Sequence, residues 1–156
     1  MKFPTVLAAL LLAACGSATG GVPCASPLPA DVAGGGQACS GSGRLAEMIK
    51  TDARSYSPGA RIVITVTATN QSSGACAAPT ACPPLPVAIY DSSGKQVWAP
   101  PQLGRPCPAL VRLMSPGETV SYPVTVSGLT LGTGLYSVSG RTDQAAAYGR
   151  AYFTVC

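Results

Sequence analysis

The run RIVITVTATN, from Arg61 to Asn70, alternates its side chains without a break. Ile62, Ile64, Val66 and Ala68 fall on one face, and Val63, Thr65, Thr67 and Thr69 on the other. A period of two belongs to a strand with one buried face, and the β-branched side chains suit a pleated backbone better than a helix. One such strand cannot hide its apolar face alone, so the chain must supply partners for it.

The partners are legible on both sides. Leu45 to Thr51, Leu85 to Tyr90, a short piece through Val97 and Trp98, and Ala109 to Met114 read as strands. Thr119 to Ser127 places Val120, Tyr122, Val124 and Val126 on one face. Leu135 to Arg141 and Tyr148 to Val155 form a last pair, with Tyr136 and Val138 inward on the first and Ala151, Phe153 and Val155 inward on the second. Turn signals separate them: Ser57-Pro58-Gly59, Asp91 to Lys95, and Ser115-Pro116-Gly117-Glu118. Pro pre-sets φ in such turns and Gly accepts a positive φ. The segment Ala99 to Pro108 holds four prolines and cannot be a central strand. The expectation is an all-β chain, an Ig-like antiparallel β-sandwich of seven to eight strands over residues 44–156. Trp98 is expected in the sandwich core or at its edge.

The N-terminus carries a different message. Lys2 precedes an uncharged apolar run, Phe3 to Ala14, too short to span a bilayer and of the length of a signal-peptide core. It closes on Leu12-Ala13-Ala14-Cys15-Gly16, which resembles a bacterial lipobox. That resemblance implies cleavage before Cys15, lipidation (palmitate among the acyl groups) of Cys15, and attachment to a membrane of the cell envelope. Residues 1–14 are then the signal peptide. Gly16 rather than Asp after the Cys resembles lipoproteins sorted to an outer membrane where one exists, and otherwise the anchor lies on the outer face of the cell membrane. A plain signal peptide with a stray Cys is the alternative. Residues 15–43 are rich in Gly, Pro, Ser and Ala, with Asp31 as their one charge before Arg44. They read as a disordered tether that spans roughly 30 Å as a flexible coil.

Seven Cys are present, and no His. Setting Cys15 aside leaves Cys24, Cys39, Cys76, Cys82, Cys107 and Cys156, an even set that reads as a disulfide framework in an exported chain. Without His and without a Cys-x-x-Cys pair, no metal or other cofactor is implied. Loss of Lys2 from the ten basic residues leaves nine against six acidic ones, and the basics are scattered. Nucleic acid needs a concentrated basic patch, so it is not an expected partner.

From Tyr56 to Asn70 a Tyr-Ser-Pro-Gly turn leads into the alternating strand. A Val-x-Ile-Tyr-Asp-x-x-Gly-Lys-x-Val-Trp hairpin follows (Val87 to Trp98), then a Leu-x-x-Gly-Glu-like turn (Leu113 to Glu118) and a Gly-x-Tyr strand (Gly134 to Tyr136). This order resembles the intracellular proteinase inhibitor (BsuPI-like) domain family of Ig-like sandwiches, over about residues 45–156. The resemblance implies the sandwich and admits a proteinase-inhibitor-like activity, although this chain differs from the family in being exported and rich in Cys. Tyr136 also stands where an Ig-like fold places a tyrosine corner, with Val138 in place of the Cys two residues on.

An Ig-like path suggests which thiols meet. Cys76 and Cys82 share one loop and close a small ring. Cys107 and Cys156 are expected at the opposite end, where their bridge contributes roughly 4 kcal/mol by loop entropy. Cys24–Cys39 follows by elimination. Cys82–Cys107 is the competing pairing.

No catalytic constellation emerges. Without His there is no Ser-His or Cys-His triad. The carboxylates Asp31, Glu47, Asp52, Asp91, Glu118 and Asp143 stand singly. Ser92-Ser93-Gly94-Lys95 has Ser-x-x-Lys spacing but sits in a hairpin turn rather than at a helix start. Asn70-Gln71-Ser72 matches a glycosylation sequon, which the bacterial lipobox discounts. The chain is therefore expected to be a non-catalytic binding module of the envelope, meeting a protein partner or a protease. Leu103 and Arg105 in the Pro-rich loop are the candidate contacts, because Pro limits the entropy lost on binding. The other reading is a structural envelope lipoprotein that spaces or supports an assembly.

Overall fold

The computed structural model describes residues 27–34, 39, 42–78, 87–101, 112–140 and 149–156. Ten strands occur among them: β1 (Leu45–Thr51), β2 (Ser55–Tyr56), β3 (Ile62–Asn70), β4 (Cys76–Ala77), β5 (Val87–Asp91), β6 (Gln96–Trp98), β7 (Leu113–Met114), β8 (Thr119–Val126), β9 (Gly134–Gly140) and β10 (Arg150–Val155). Eight fall where the periodicity and turns place them. The two additions, β2 and β4, are two residues long.

The strands form an all-β sandwich. One sheet runs β1-β3-β8, the other β2-β10-β9-β5-β6, and β4 pairs with β7 in a small ribbon. This is the Ig arrangement, with β1, β3 and β8 in the first sheet and β10, β9 and β5 in the facing one. The pairs are antiparallel except β2 with β10, which run parallel at Ser55–Thr154 and Tyr56–Val155.

The alternation of β3 is realised residue by residue. Ile62, Ile64, Val66 and Ala68 are buried, and the residues between them are half-exposed. Ile62, Ile64 and Val66 meet Ile89, Val138, Ala151 and Phe153 from the facing sheet in the main core. Phe153 is its centre: Tyr56 packs edge-on against it at 5.3 Å and Tyr136 stacks at 5.5 Å. Full burial of one such ring contributes about 2–3 kcal/mol. Trp98 is half-buried at the rim of this core, as expected. A second cluster, Leu45, Ala68, Cys76, Ala78, Met114 and Val120, lies under the β4–β7 ribbon.

The turns behave as their residues require. Gly59, Gly94 and Gly117 have φ of 77°, 82° and 77°, which an L side chain rarely adopts. The tyrosine corner is present: the Tyr136 hydroxyl donates to the carbonyl of Gly132 at 2.8 Å, tying the start of β9 to the preceding loop.

The N-terminal segment departs from expectation. Residues 15–43 were expected to be an unpacked tether, yet the described part lies on the sandwich. Val32 and Arg150 exchange backbone hydrogen bonds of 2.8 Å, and the Gly34 amide donates to Glu47 at 3.0 Å. Asp31 accepts from Arg54 Nη1 at 2.8 Å and from the Tyr152 amide at 3.2 Å. The segment thus passes from β10 in one sheet to β1 in the other. A Cβ at Gly149 would lie 3.2 Å from the carbonyl of Val32 and from the amide of Ile49, so any side chain there would crowd this crossing.

This crossing also corrects the disulfide pairing. Cys39 is bonded to Cys76, their Cα atoms 4.8 Å apart, so neither Cys24–Cys39 nor Cys76–Cys82 forms. Those pairs assumed a free tether and a closed loop. In the fold, residues 42–44 run beside 71–73, with the Gln71 amide on the carbonyl of Arg44 and the Ser73 amide on that of Ser42. That brings Cys39 to the corner where β4 begins. Cys156 is also disulfide-bonded, to a partner outside the described residues.

Candidate functional site

The outer face of the five-stranded sheet carries a groove of about 460 Å³. Its floor comes from β9. The inward side chains of that strand are Tyr136 and Val138, so Ser137 and Ser139 point away from the core by strand alternation. Their neighbours are fixed by register. Ser137 stands between Tyr90 of β5 and Tyr152 of β10, and Ser139 between Ala88 and Arg150. Two strand spacings separate β5 from β10, about 10 Å. Small serines between two tall rings produce the depression.

The β5–β6 turn closes one side, contributing Asp91, Ser92 and Gly94. This wall is held by Asp91, whose Oδ1 accepts from the Ser93 amide (2.9 Å), the Ser93 hydroxyl (2.6 Å) and the Lys95 amide (3.0 Å). Hydrogen bonding from Ser93 first, then from Lys95, holds the Asp91 carboxyl below its ordinary value despite slight desolvation. The Ser92-to-Lys95 stretch is a hairpin turn and not a helix start. Among the described residues, Ser137 and Ser139 have no base beside them in the groove other than Asp91, whose Oδ1 already serves its own turn.

Of the groove's other polar groups, the Tyr136 hydroxyl is taken by the Gly132 carbonyl. Among the described residues, the hydroxyls of Tyr90, Tyr152, Ser137 and Ser139 and the guanidinium of Arg150 make no hydrogen bond or ion pair. Two buried networks elsewhere are fully engaged. Asn70 is fully buried (0% exposed), and its Nδ2 donates to the carbonyls of Gly74 (2.8 Å) and Met114 (3.0 Å). Its Oδ1 accepts from the Ser72 amide (2.9 Å) and hydroxyl (2.7 Å) and touches Cys76 Sγ. The Asn70-Gln71-Ser72 sequon is therefore closed within the fold. Tyr56 donates to Asp52 Oδ1 at 2.6 Å and accepts from the Ala53 amide at 2.9 Å. Burial, and then the hydrogen bond to Asp52, pushes the Tyr56 phenol up to about 12. Burial alone would raise Asp52, but hydrogen bonds from Tyr56 and the Val63 amide outweigh it and lower its carboxyl. Both networks are structural ties between strands.

Few of the residues singled out from sequence fall within the described part of the chain. Cys15, Cys24, Cys82, Leu103, Arg105 and Cys107 are outside the described residues. Cys76 and Cys156 are placed at strand ends, and Cys39 in the N-terminal segment bonded to Cys76; none of the three is in the groove lining. No group of three or more His, Cys, Asp or Glu that could hold a metal occurs among the described residues. The groove itself was missed from sequence. Its one local signal is the Tyr-Ser-Val-Ser-Gly alternation of 136–140, and the flanking tyrosines become neighbours only through register.

In comparison with known proteins, no family model and no curated protein matches this chain.

Proposed function

We propose that this chain is an exported, lipid-anchored protein of the bacterial envelope whose Ig-like sandwich is a non-catalytic binding module. The groove carries this reading: a shaped concavity with rigid aromatic walls and hydrogen-bonding groups that the fold itself does not use. Such a surface offers contacts to a ligand, with little rearrangement needed on binding. The lipobox resemblance at Leu12 to Gly16 supports the anchor, and the Cys39–Cys76 bond suits an oxidising compartment. In this reading Cys15 holds the membrane and the sandwich holds the partner. The BsuPI-like resemblance makes protease inhibition a special case, with Leu103 and Arg105 as its contacts.

The anchor is tested by growth with labelled palmitate and fractionation of membranes. The native chain should carry label and sediment with membranes, and Cys15→Ser should do neither. The module is tested by capture of partners with the anchored protein. A partner retained by the native chain and lost with Tyr90→Ala and Tyr152→Ala supports the groove. A partner lost instead with Leu103→Ala and Arg105→Ala moves the contact to the Pro-rich loop. Inhibition in a protease panel that disappears with those two substitutions identifies the inhibitor case.

A further inference from the structure

We infer that the groove between Tyr90 and Tyr152 is a saccharide site, and that its ligand carries a carboxylate. The inference rests on the reading of this groove as the module's contact surface.

Three features of the lining point the same way. Two tyrosines flank the floor on strands whose backbones stand about 10 Å apart. A pyranose ring has one flat C–H face and a rim of hydroxyls, which suits a wall that is apolar on its ring and polar at its tip. Tyr provides that contact from a side chain with few torsions to freeze. Next, the hydroxyls of Tyr90, Tyr152, Ser137 and Ser139 each donate one hydrogen bond and accept others, and none is engaged among the described residues. A polyhydroxyl ligand pairs with such a set, whereas a purely apolar one would strand it. Last, Arg150 is the cation of the described lining and makes no ion pair among the described residues, while the lining's carboxylate, Asp91, has its Oδ1 taken up by its own turn. The planar Arg150 guanidinium matches a carboxylate in two parallel hydrogen bonds.

Other ligands fit less well. β9 is hydrogen-bonded to β5 on one side and β10 on the other, so the floor has no free strand edge for an extended peptide to join. A nucleic acid would require several phosphate contacts, and the lining holds one cation. The volume of about 460 Å³ falls within the range of small-ligand sites, roughly 300–1,000 Å³.

The test is a nuclear magnetic resonance titration of the full chain with trigalacturonate and, separately, with its neutral counterpart galactotriose. Trigalacturonate should shift the amides of Tyr90, Ser137, Ser139 and Tyr152 in a saturable way. Galactotriose should bind at least about tenfold more weakly. Arg150→Gln should abolish that difference, and Tyr90→Ala with Tyr152→Ala should abolish binding of both sugars. Shifts mapped on the unaltered chain keep the result independent of whether the variants fold. Absence of a saturable shift in the groove, or equal affinity for the two sugars, overturns the inference. A chain that captures a partner through the groove but ignores both sugars also overturns it, and leaves the binding-module reading standing. A saccharide bound in the groove by a chain that takes no palmitate supports the inference and removes the anchor alone.

Discussion

Asn70 is the residue whose substitution tests most directly how this fold is held together. It ends β3, has no exposed surface, and makes four hydrogen bonds that join the β3–β4 corner to β7. Each is worth about 0.5–1.5 kcal/mol net, so Asn70→Ala should destabilise the chain by about 4 kcal/mol. Asn70→Asp probes the chemistry more finely, because the shape is kept. The two acceptor bonds from Ser72 survive, but the amide that faced the carbonyls of Gly74 and Met114 becomes an oxygen. Ionised, that oxygen is a buried charge with no partner and two repelling neighbours. Protonated, it still donates one hydrogen bond.

The folded chain therefore holds the new carboxyl above its unfolded value of about 3.9. A group raised in this sense contributes its stability fully below the unfolded pKa and loses it as pH rises towards the folded one. The deficit of Asn70→Asp should widen from pH 4 to pH 7, while that of Asn70→Ala stays flat. Urea midpoints of the oxidised proteins at both pH values, referenced to the parent at each, measure this. An Asn70→Asp deficit independent of pH, or below about 1 kcal/mol at pH 7, would show that the Asn70 network does not tie the corner as described.

The remaining predictions concern single ties. Replacing Cys39 and Cys76 together by Ser should cost about 4 kcal/mol, from loop-closure entropy for a separation of 37 residues, and a peptide map without reduction should show Cys39 joined to Cys76. A Cys76–Cys82 peptide would refute that bond. Tyr56→Phe should remove one phenol that titrates near 12, seen by ultraviolet absorbance. Because that pKa is raised from 10.0, the native chain should lose stability as pH rises from 10 to 12, and the variant should lose less. Tyr136→Phe should keep its stacking on Phe153 and lose the corner hydrogen bond, lowering stability by about 1 kcal/mol in urea unfolding.

What sequence disclosed and what it hid divide along one physical line. Patterns carried by side chains were readable. The alternation of β3 and of β8 to β10, and the Gly of each turn, follow from burial and φ, which are local properties. Features carried by backbone pairing were not. Val32 and Gly34 are held on β10 and β1 by main-chain hydrogen bonds, for which no apolar pattern is needed. A composition that reads as unable to fold alone can still fold onto a surface already made. The error in the Cys pairing descends from that one omission, because Cys39 reaches Cys76 only once the preceding residues have crossed the sandwich. The groove was hidden for a related reason: Tyr90, Ser137 and Tyr152 are 47 and 15 residues apart in sequence and become neighbours only through the register of three strands.

The same crossing changes what an anchor at Cys15 would do. If all of residues 15–43 were free, the sandwich would turn independently of the membrane. With the chain held on the sandwich at Asp31 and Val32, only about fifteen residues remain between Cys15 and the first contact, a reach of at most roughly 55 Å. Their point of attachment is not neutral. Val32 pairs with Arg150 and Asp31 accepts from the Tyr152 amide, and both Arg150 and Tyr152 line the groove. An end anchored at Cys15 would therefore join the domain at the wall of the proposed binding surface. A substitution that frees this segment, such as Gly149→Val, whose side chain would strike the carbonyl of Val32 and the amide of Ile49, should lengthen the tether and disturb the Arg150 wall together. With such an anchor, position on the membrane and shape of the groove would be coupled through one short stretch of backbone.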